Sequence, residues 1–456
     1  MDGLDITECK FSGVIQATDY FRLEADYFTA QNLQGNNIDS AVKYINRVQY
    51  GTSEFLNKEK NGYPILRLNE FETYFIKEPA KYCDIISQQQ FEDLKLHKGD
   101  VLVCRTNGNP DLVGRAAVIM EECDYAFASY LFRVNVSDEI TPEYFVAYLQ
   151  SKYGRLEIDK NSMKGNQTNF SPAKLKDIKL PIFSRGFCEK ITYKFKSSYE
   201  LLKISKYYYY KADKLLKDKF CNELNLKKSI SIKTLSDSFN ISGRLDAEYY
   251  QPKYEEIEKQ ICTTNTVCSS CNIFDKNFMP EDEEIYQYIE LANVNLMGEI
   301  STPDKICGKD LPSRARRLVK TGQVIISSIE GSLQSCALIT EEFNNAVCST
   351  GFYVLDSEEY NPETLLVLFK SEPIQALLKK RCSGTILTAI SKDELEKMPL
   401  PELDEITQKE IAEKVQESFR LRKKSKKLLD AAVKAVEIAI ETDEKTALAW
   451  LDSQNV

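Results

Sequence analysis

The chain carries the same helical stripe twice. From Ile411, positions Ile411, Val415, Ser418, Arg422, Ser425, Leu429, Ala432, Val436 and Ala439 follow in alternating steps of four and three, and Arg422 is the one polar intruder. Such spacing is a heptad seam, which a lone helix in water does not hold stably. Subtracting 220 gives Ile191, Phe195, Ser198, Leu202, Ser205, Tyr209, Ala212, Leu216 and Lys219, so the register, both serines and the alanine coincide, and this copy leaves the stripe only at its final position, Lys219. Two long helices packed on each other are predicted, with Ser and Ala permitting close approach.

The repeat extends well beyond the helices. Arg22-Leu-Glu-Ala-Asp-Tyr-Phe28 returns as Arg244-Leu-Asp-Ala-Glu-Tyr-Tyr250, each acid exchanged for the other. Tyr63–Leu68 lies over Tyr286–Leu291, Gly99–Gly108 over Gly322–Gly331, and Ala126–Val134 over Ala346–Val354. A unit of about 220 residues is therefore duplicated in tandem. Each copy opens β-rich, with apolar, β-branched strands at Val101–Arg105 and Val324–Ser328, and further strands at Ala116–Met120 and Leu131–Val136 in the first copy. Thr141-Pro142-Glu143 and Asn361-Pro362-Glu363 then signal helix starts, a capping residue followed by proline. A short helix opens at Ser171-Pro172 and at Ser391-Lys-Asp-Glu394, the latter a capping box, before Leu180-Pro181 and Leu400-Pro401 break the chain.

Length and charge bound the rest. At 456 residues, two to four domains are expected. No apolar run approaches a membrane span and the first residues lack a signal-peptide layout, so a cytoplasmic protein with no membrane partner is expected. The net charge of −9 is not the footprint of a generic polyanion binder. It is uneven, however: Pro172–Lys228 holds fifteen Lys/Arg against six Asp/Glu, a basic waist between acidic lobes, which is also what a solvated helix face looks like. Thirteen cysteines in such a chain read as free thiols. Cys268 and Cys271 have metal-ligand spacing, but no second CxxC pair lies at zinc-ribbon distance and His97 is the single histidine.

Catalytic motifs are missing. There is no Asn-Pro-Pro-Tyr or Asp-Pro-Pro-Tyr motif, no glycine-rich cofactor loop after a strand and no phosphate loop, and the Pro-Asp pairs at 110–111 and 303–304 lack a following Glu-x-Lys. A chain without chemistry of its own is the expectation.

The order of β-rich globule, GDVLVCRTNG-like strand and turn, SPxxLxxIxLP-like exit and long helix, given twice, resembles the specificity (S) subunit of type I restriction–modification systems over nearly the whole chain. The resemblance implies an α+β fold: a tandem duplication of a target recognition domain plus a long helix, the two helices packed as an antiparallel coiled coil. The implied domains are residues 1–180 and 226–401 for recognition, 181–225 for the central spacer helix and 402–456 for the C-terminal helix and tail. It further implies double-stranded DNA as ligand, read as a bipartite site with one half per domain. Two methyltransferase (M) subunits and restriction (R) subunits are implied as partners, carrying S-adenosylmethionine, and ATP with Mg for restriction. No cofactor, metal or catalytic residue is expected in this chain itself.

Sequence is read by Arg, Lys, Asn, Gln, Ser and Thr aimed at base edges from a rigid scaffold. The first copy concentrates these types in Arg105, Thr106, Asn107 and Asn109, and in Lys164, Asn166, Gln167 and Asn169. In the second copy the candidates are Arg314, Arg316 and Arg317, then Ser328, Ser332 and Gln334; Glu330 could accept from a cytosine amino group or merely be repelled outward. The counterpart of the Lys164–Ser171 loop, Ser383–Ser391, is more apolar. Gly/Asn turns also close ordinary hairpins, and the three arginines could be a solvated face. A duplicated protein-binding scaffold without DNA contact is the alternative, favoured by the acidic balance alone.

Overall fold

The structure, a computed structural model, describes residues 8, 10–12, 37–163, 165–220, 230–261, 263–384 and 388–454. The motif Arg22–Phe28 lies outside the described residues, as does Lys164. The fold is α+β and duplicated. It divides into two compact units, Met1–Leu202 with Lys423–Val456, and Lys203–Arg422.

In the first unit a four-stranded antiparallel sheet runs Ile45–Tyr50, Leu131–Val136, Val101–Cys104, Ala116–Val118 in spatial order. Its second sheet sets Ala126–Phe127 parallel to Tyr63–Leu66, with Lys81–Cys83 antiparallel on the far side. The second unit repeats the first sheet as Asn272–Phe274, Phe352–Asp356, Val324–Ser327, Cys336–Leu338. The parallel pairing also returns, Tyr288 opposite Val347, in a sheet ordered Asp304–Cys307, Ile285–Ile289, Val347–Ser349, Ala315–Leu318. The last of these strands has no counterpart in the first unit, where Gln88–Leu94 is a helix at the matching place. Gly99 and Gly322 carry the tight turn before each apolar strand with φ of 90° and 85°, a conformation that excludes most other residues.

Local chemistry explains the helix starts. The Thr141 Oγ1 accepts from Tyr144 N (3.2 Å) and the Asn361 Oδ1 from Thr364 N (2.8 Å), ahead of Pro142–Gln150 and Pro362–Lys370. Ser171 and Ser391 cap Pro172–Asp177 and Lys392–Glu396 in the same way. At Ser391 only the serine half of the expected capping box forms.

The heptad stripes lie on Arg185–Phe220 and Glu405–Glu441. Within the first unit the two helices run antiparallel, since Ser184 meets Glu444 while Ser198 meets Ser425. Within the second they do so again, Ser205 meeting Ser418 and Lys219 meeting Asp404. Each globule shares its core with its own half of the pair. Ile191, Phe195, Leu429 and Val436 join Tyr144 and Phe145, whereas Tyr209, Leu216, Ile411 and Val415 join Tyr254 and Leu365. A further helix, Glu444–Ser453, buries Ala447 and Leu451 in the first unit. Among the described residues no helix is long and apolar enough to cross a membrane.

Candidate nucleic-acid interface

In the first unit the chain leaves strand Val101–Cys104 as Arg105-Thr-Asn-Gly-Asn, and two segments about sixty residues apart in sequence then meet. Thr106–Asn107 pairs antiparallel with Thr168–Asn169, and Phe170 N donates to the Arg105 carbonyl at 2.8 Å. Phe170 is fully buried and anchors the ribbon to the core. Its outer end is held by consecutive Asx turns. Asn107 Oδ1 accepts from Asn109 N (2.9 Å), and Asn109 Oδ1 accepts from Asp111 N (3.0 Å). Thr106 Oγ1 lies 3.5 Å from Gln167 Oε1, while Asn166 and Gln167 are exposed. The Asn169 Oδ1 is buried without a hydrogen-bond partner. Both predicted loops of this copy, Lys164 apart, therefore form one polar edge.

Arg105 is held from a direction its own loop does not disclose. Its guanidinium lies over the Tyr50 ring, 5.1 Å from the centroid, and Nη1 donates to the Ser129 carbonyl at 3.3 Å. Tyr50 comes from the edge strand of the four-stranded sheet and Ser129 from the turn before Leu131–Val136. Neither was singled out in the sequence, because only sheet order brings them beside Arg105. Beneath the loop, burial pushes the Cys104 thiol up to about 11, which removes it as a nucleophile at neutral pH.

The second unit builds the same ribbon from different side chains. Ile390 N donates to the Ser328 carbonyl (2.8 Å), Glu330 N to the Thr388 carbonyl (3.0 Å), and Ile329 pairs with Ala389. The predicted hydroxyls are engaged in holding it. Ser328 Oγ donates to the Gly351 carbonyl (3.0 Å), and Ser332 Oγ lies 2.9 Å from Ser327 Oγ. Gln334 is exposed, and its carbonyl accepts from Lys370 Nζ at 2.7 Å. Lys370 is a residue that sequence reasoning passed over: it is buried, also reaches the Asn295 and Cys336 carbonyls (3.5 and 3.4 Å), and burial lowers its pKa.

The three arginines do not form a cluster on a loop. Arg316 and Arg317 belong to strand Ala315–Leu318, whose pairing with Val347–Ser349 is broken by a bulge between Ala315 and Arg317. Arg317 Nη1 donates to Asn277 Oδ1 (2.6 Å) and its Nε is buried without a partner. Arg314 donates to the Tyr288 hydroxyl (3.1 Å) and to Glu290 Oε1 (2.7 Å), so its charge is offset on the spot. Arg316 is half-buried, with no ion pair among the described residues. Cys268 lies within the short helix Val267–Ser270 and Cys271 follows its last residue, and burial pushes the Cys271 thiol up to about 12. Among the described residues no group of three or more His, Cys, Asp or Glu is placed to hold a metal ion.

No protein-family model and no curated protein matches the chain. Among solved structures it is similar to the type I restriction–modification S subunit from M. genitalium, at 12% identity and a TM-score of 0.39, over 92% of this chain and 98% of that one. It is also similar to the HsdS subunit from Thermoanaerobacter tengcongensis, at 12% identity and a TM-score of 0.30, over 89% of this chain and 96% of that one. A third similar chain comes from work on complex assembly and conformational transition of the type I R-M system, at 12% identity and a TM-score of 0.27, over 91% of this chain and 96% of that one.

Proposed function

We propose that the chain is the sequence-reading, non-catalytic subunit of a type I restriction–modification complex, each globule reading one half of a bipartite DNA site. The observation that carries this reading is the twice-built ribbon: in each copy a polar turn after the central strand is paired with the segment just before the exit helix. A sheet edge that fixes short polar side chains in this way suits recognition of base edges. The recognition domains are assigned to residues 1–180 and 226–401, the central spacer segment to 181–225, and the C-terminal spacer helix and tail to 402–456. Two methyltransferase subunits dock on the chain, and restriction subunits act through them. S-adenosylmethionine, and ATP with Mg, belong to those partners.

The test is binding to duplex DNA by the chain co-purified with its methyltransferase partner, titrated with salt. A reader loses affinity steeply, log K falling by about 0.9 for each phosphate contacted per unit of log salt. A flat response would favour a protein-binding scaffold. The chain alone should transfer no methyl group from S-adenosylmethionine to DNA, and methylation by the isolated polypeptide would overturn the assignment.

A further inference from the structure

The two ribbons differ in one respect that bears on what each reads. Arg105 and Ser328 occupy the same place, each accepting at its carbonyl from the residue ahead of the exit helix, Phe170 or Ile390. The serine hydroxyl is turned to the Gly351 carbonyl, whereas the arginine sends its guanidinium over the Tyr50 ring and to the Ser129 carbonyl, at the base of the ribbon formed by Thr106–Asn107 and Thr168–Asn169. That guanidinium makes no ion pair among the described residues, unlike Arg67 with Glu70 and Arg133 with Asp100 in the same unit. The guanidinium carbon stands 5.1 Å from the Tyr50 ring centroid, a contact that engages none of its N–H groups as a conventional hydrogen bond, and the Ser129 carbonyl takes one N–H of the five a guanidinium owns. What is left is an unneutralised, planar set of donors already held in place. A mobile lysine serves a phosphate equally well, but a planar, pre-positioned fork matches a planar pair of acceptors, and in the major groove that pair is guanine O6 and N7.

We infer that Arg105 reads a guanine in the half-site of the first globule, positioned for it by Tyr50 and Ser129. The inference rests on the proposed DNA-reading function. Among the described residues the second globule has no arginine at the matching place, since Ser328 stands there, and Arg314 is tied to Glu290.

The experiment is selection from randomised duplexes by the full chain with its methyltransferase partner, comparing wild type with Arg105→Gln, Arg105→Lys, Tyr50→Phe and Tyr50→Ala. Wild type should select guanine at a fixed position of one half-site, and Arg105→Gln should lower that preference on the order of 5- to 150-fold without altering the other half-site. Arg105→Lys keeps the charge and should lose the preference as well. Tyr50→Phe should retain it and Tyr50→Ala should weaken it at the same position, a pattern that a general loss of folding does not produce. A wild-type motif with a half-site free of guanine on both strands in each block overturns the inference even if the variants fail to fold. So does Arg105→Lys with unchanged preferences, or Arg105→Gln weakening all sequences alike with a salt slope smaller by about one, the mark of a phosphate contact. If wild type selects no sequence at all, it is the DNA-reading function that fails.

Discussion

Arg422, the polar residue in the apolar stripe, turns toward Glu299, Nε standing 3.0 Å from Oε2 in a contact that is an ion pair and not an aligned hydrogen bond. The pair is mostly sheltered, so Glu299→Gln removes one negative charge from beside a largely buried guanidinium. A loss of about 1 kcal/mol is expected, well under the cost at a fully buried pair, and would appear as a lower urea midpoint. Asp404 gives a pH-dependent case. It caps the C-terminal helix, Oδ1 accepting from Thr407 N and Oδ2 from Thr407 Oγ1, both at 2.8 Å, and Lys219 Nζ lies 3.2 Å away. These bonds, the backbone one first, hold its carboxyl at about 2 against an ordinary 3.8. A depressed carboxylate contributes stability above its unfolded pKa and loses it as pH falls through the folded one. Asp404→Asn keeps an acceptor but cannot titrate, so the gap between wild type and variant at neutral pH should close between about pH 4 and about pH 2. A gap constant across that window would show that the charge of Asp404 does not matter. Arg422 stood out in the sequence as the intruder in its stripe, whereas Asp404 was not singled out, and partners such as Glu299 and Tyr50 come from other elements and were not legible.

At the scale of the helix, periodicity made the seam legible down to its serines. Ser198 and Ser425 each donate from Oγ to the other's carbonyl at 2.9 Å, and Ser205 and Ser418 do so at 2.9 and 2.8 Å. All four are buried, and those hydroxyl-to-backbone bonds require the helices to approach closely. Ser205→Leu restores an apolar heptad yet should destabilise by about 1–3 kcal/mol through overpacking, read as a fall in thermal midpoint. A stabilised variant would mean that the helices can separate at no cost. The seam ends one residue later than its repeat, because Phe220 is buried where Lys219 would have continued it. Strand Ala315–Leu318 was not legible: its Arg-Arg pair masks the alternation of a strand, and no first-copy sequence foreshadows it. The ribbons escaped for a related reason. Two-residue strands have no period to detect, and Gly108 and Gly331, which stood out in the alignment, have neither a left-handed φ nor any neighbour that a Cβ would strike.

For the whole molecule, the duplication was the most legible feature, while the place where the chain divides was not. A linear reading sets globules and helices end to end, whereas the first unit takes both the start of the central helix and the end of the C-terminal one. Packing is the cause: a heptad stripe has a flank as well as a seam, and the globule covers that flank. Phe75 packs edge-on against Phe195 and Tyr199, with centroids 6.1 and 5.2 Å apart, and Thr192 Oγ1 donates to Glu143 Oε2 at 3.1 Å. The globule itself is closed by pairing of Ile38–Ser40 with Lys179–Pro181, so its ends in the sequence adjoin in space. Residues 38–181 thus form an exchangeable segment, provided that its contacts to the helices travel with it. On the proposed function, replacing them with the matching part of a similar duplicated chain, with Phe75, Glu143 and Tyr74, which stacks on Phe195 at 5.9 Å, retained, should change one specific block of the methylated motif and leave the other block unaltered. The same exchange without those three residues should yield less folded protein, because the buried flank of the helix loses its cover. Sequencing of methylated host DNA separates the outcomes. Two blocks changed together would refute one half-site per globule, and no change in either block would place recognition outside the ribbons.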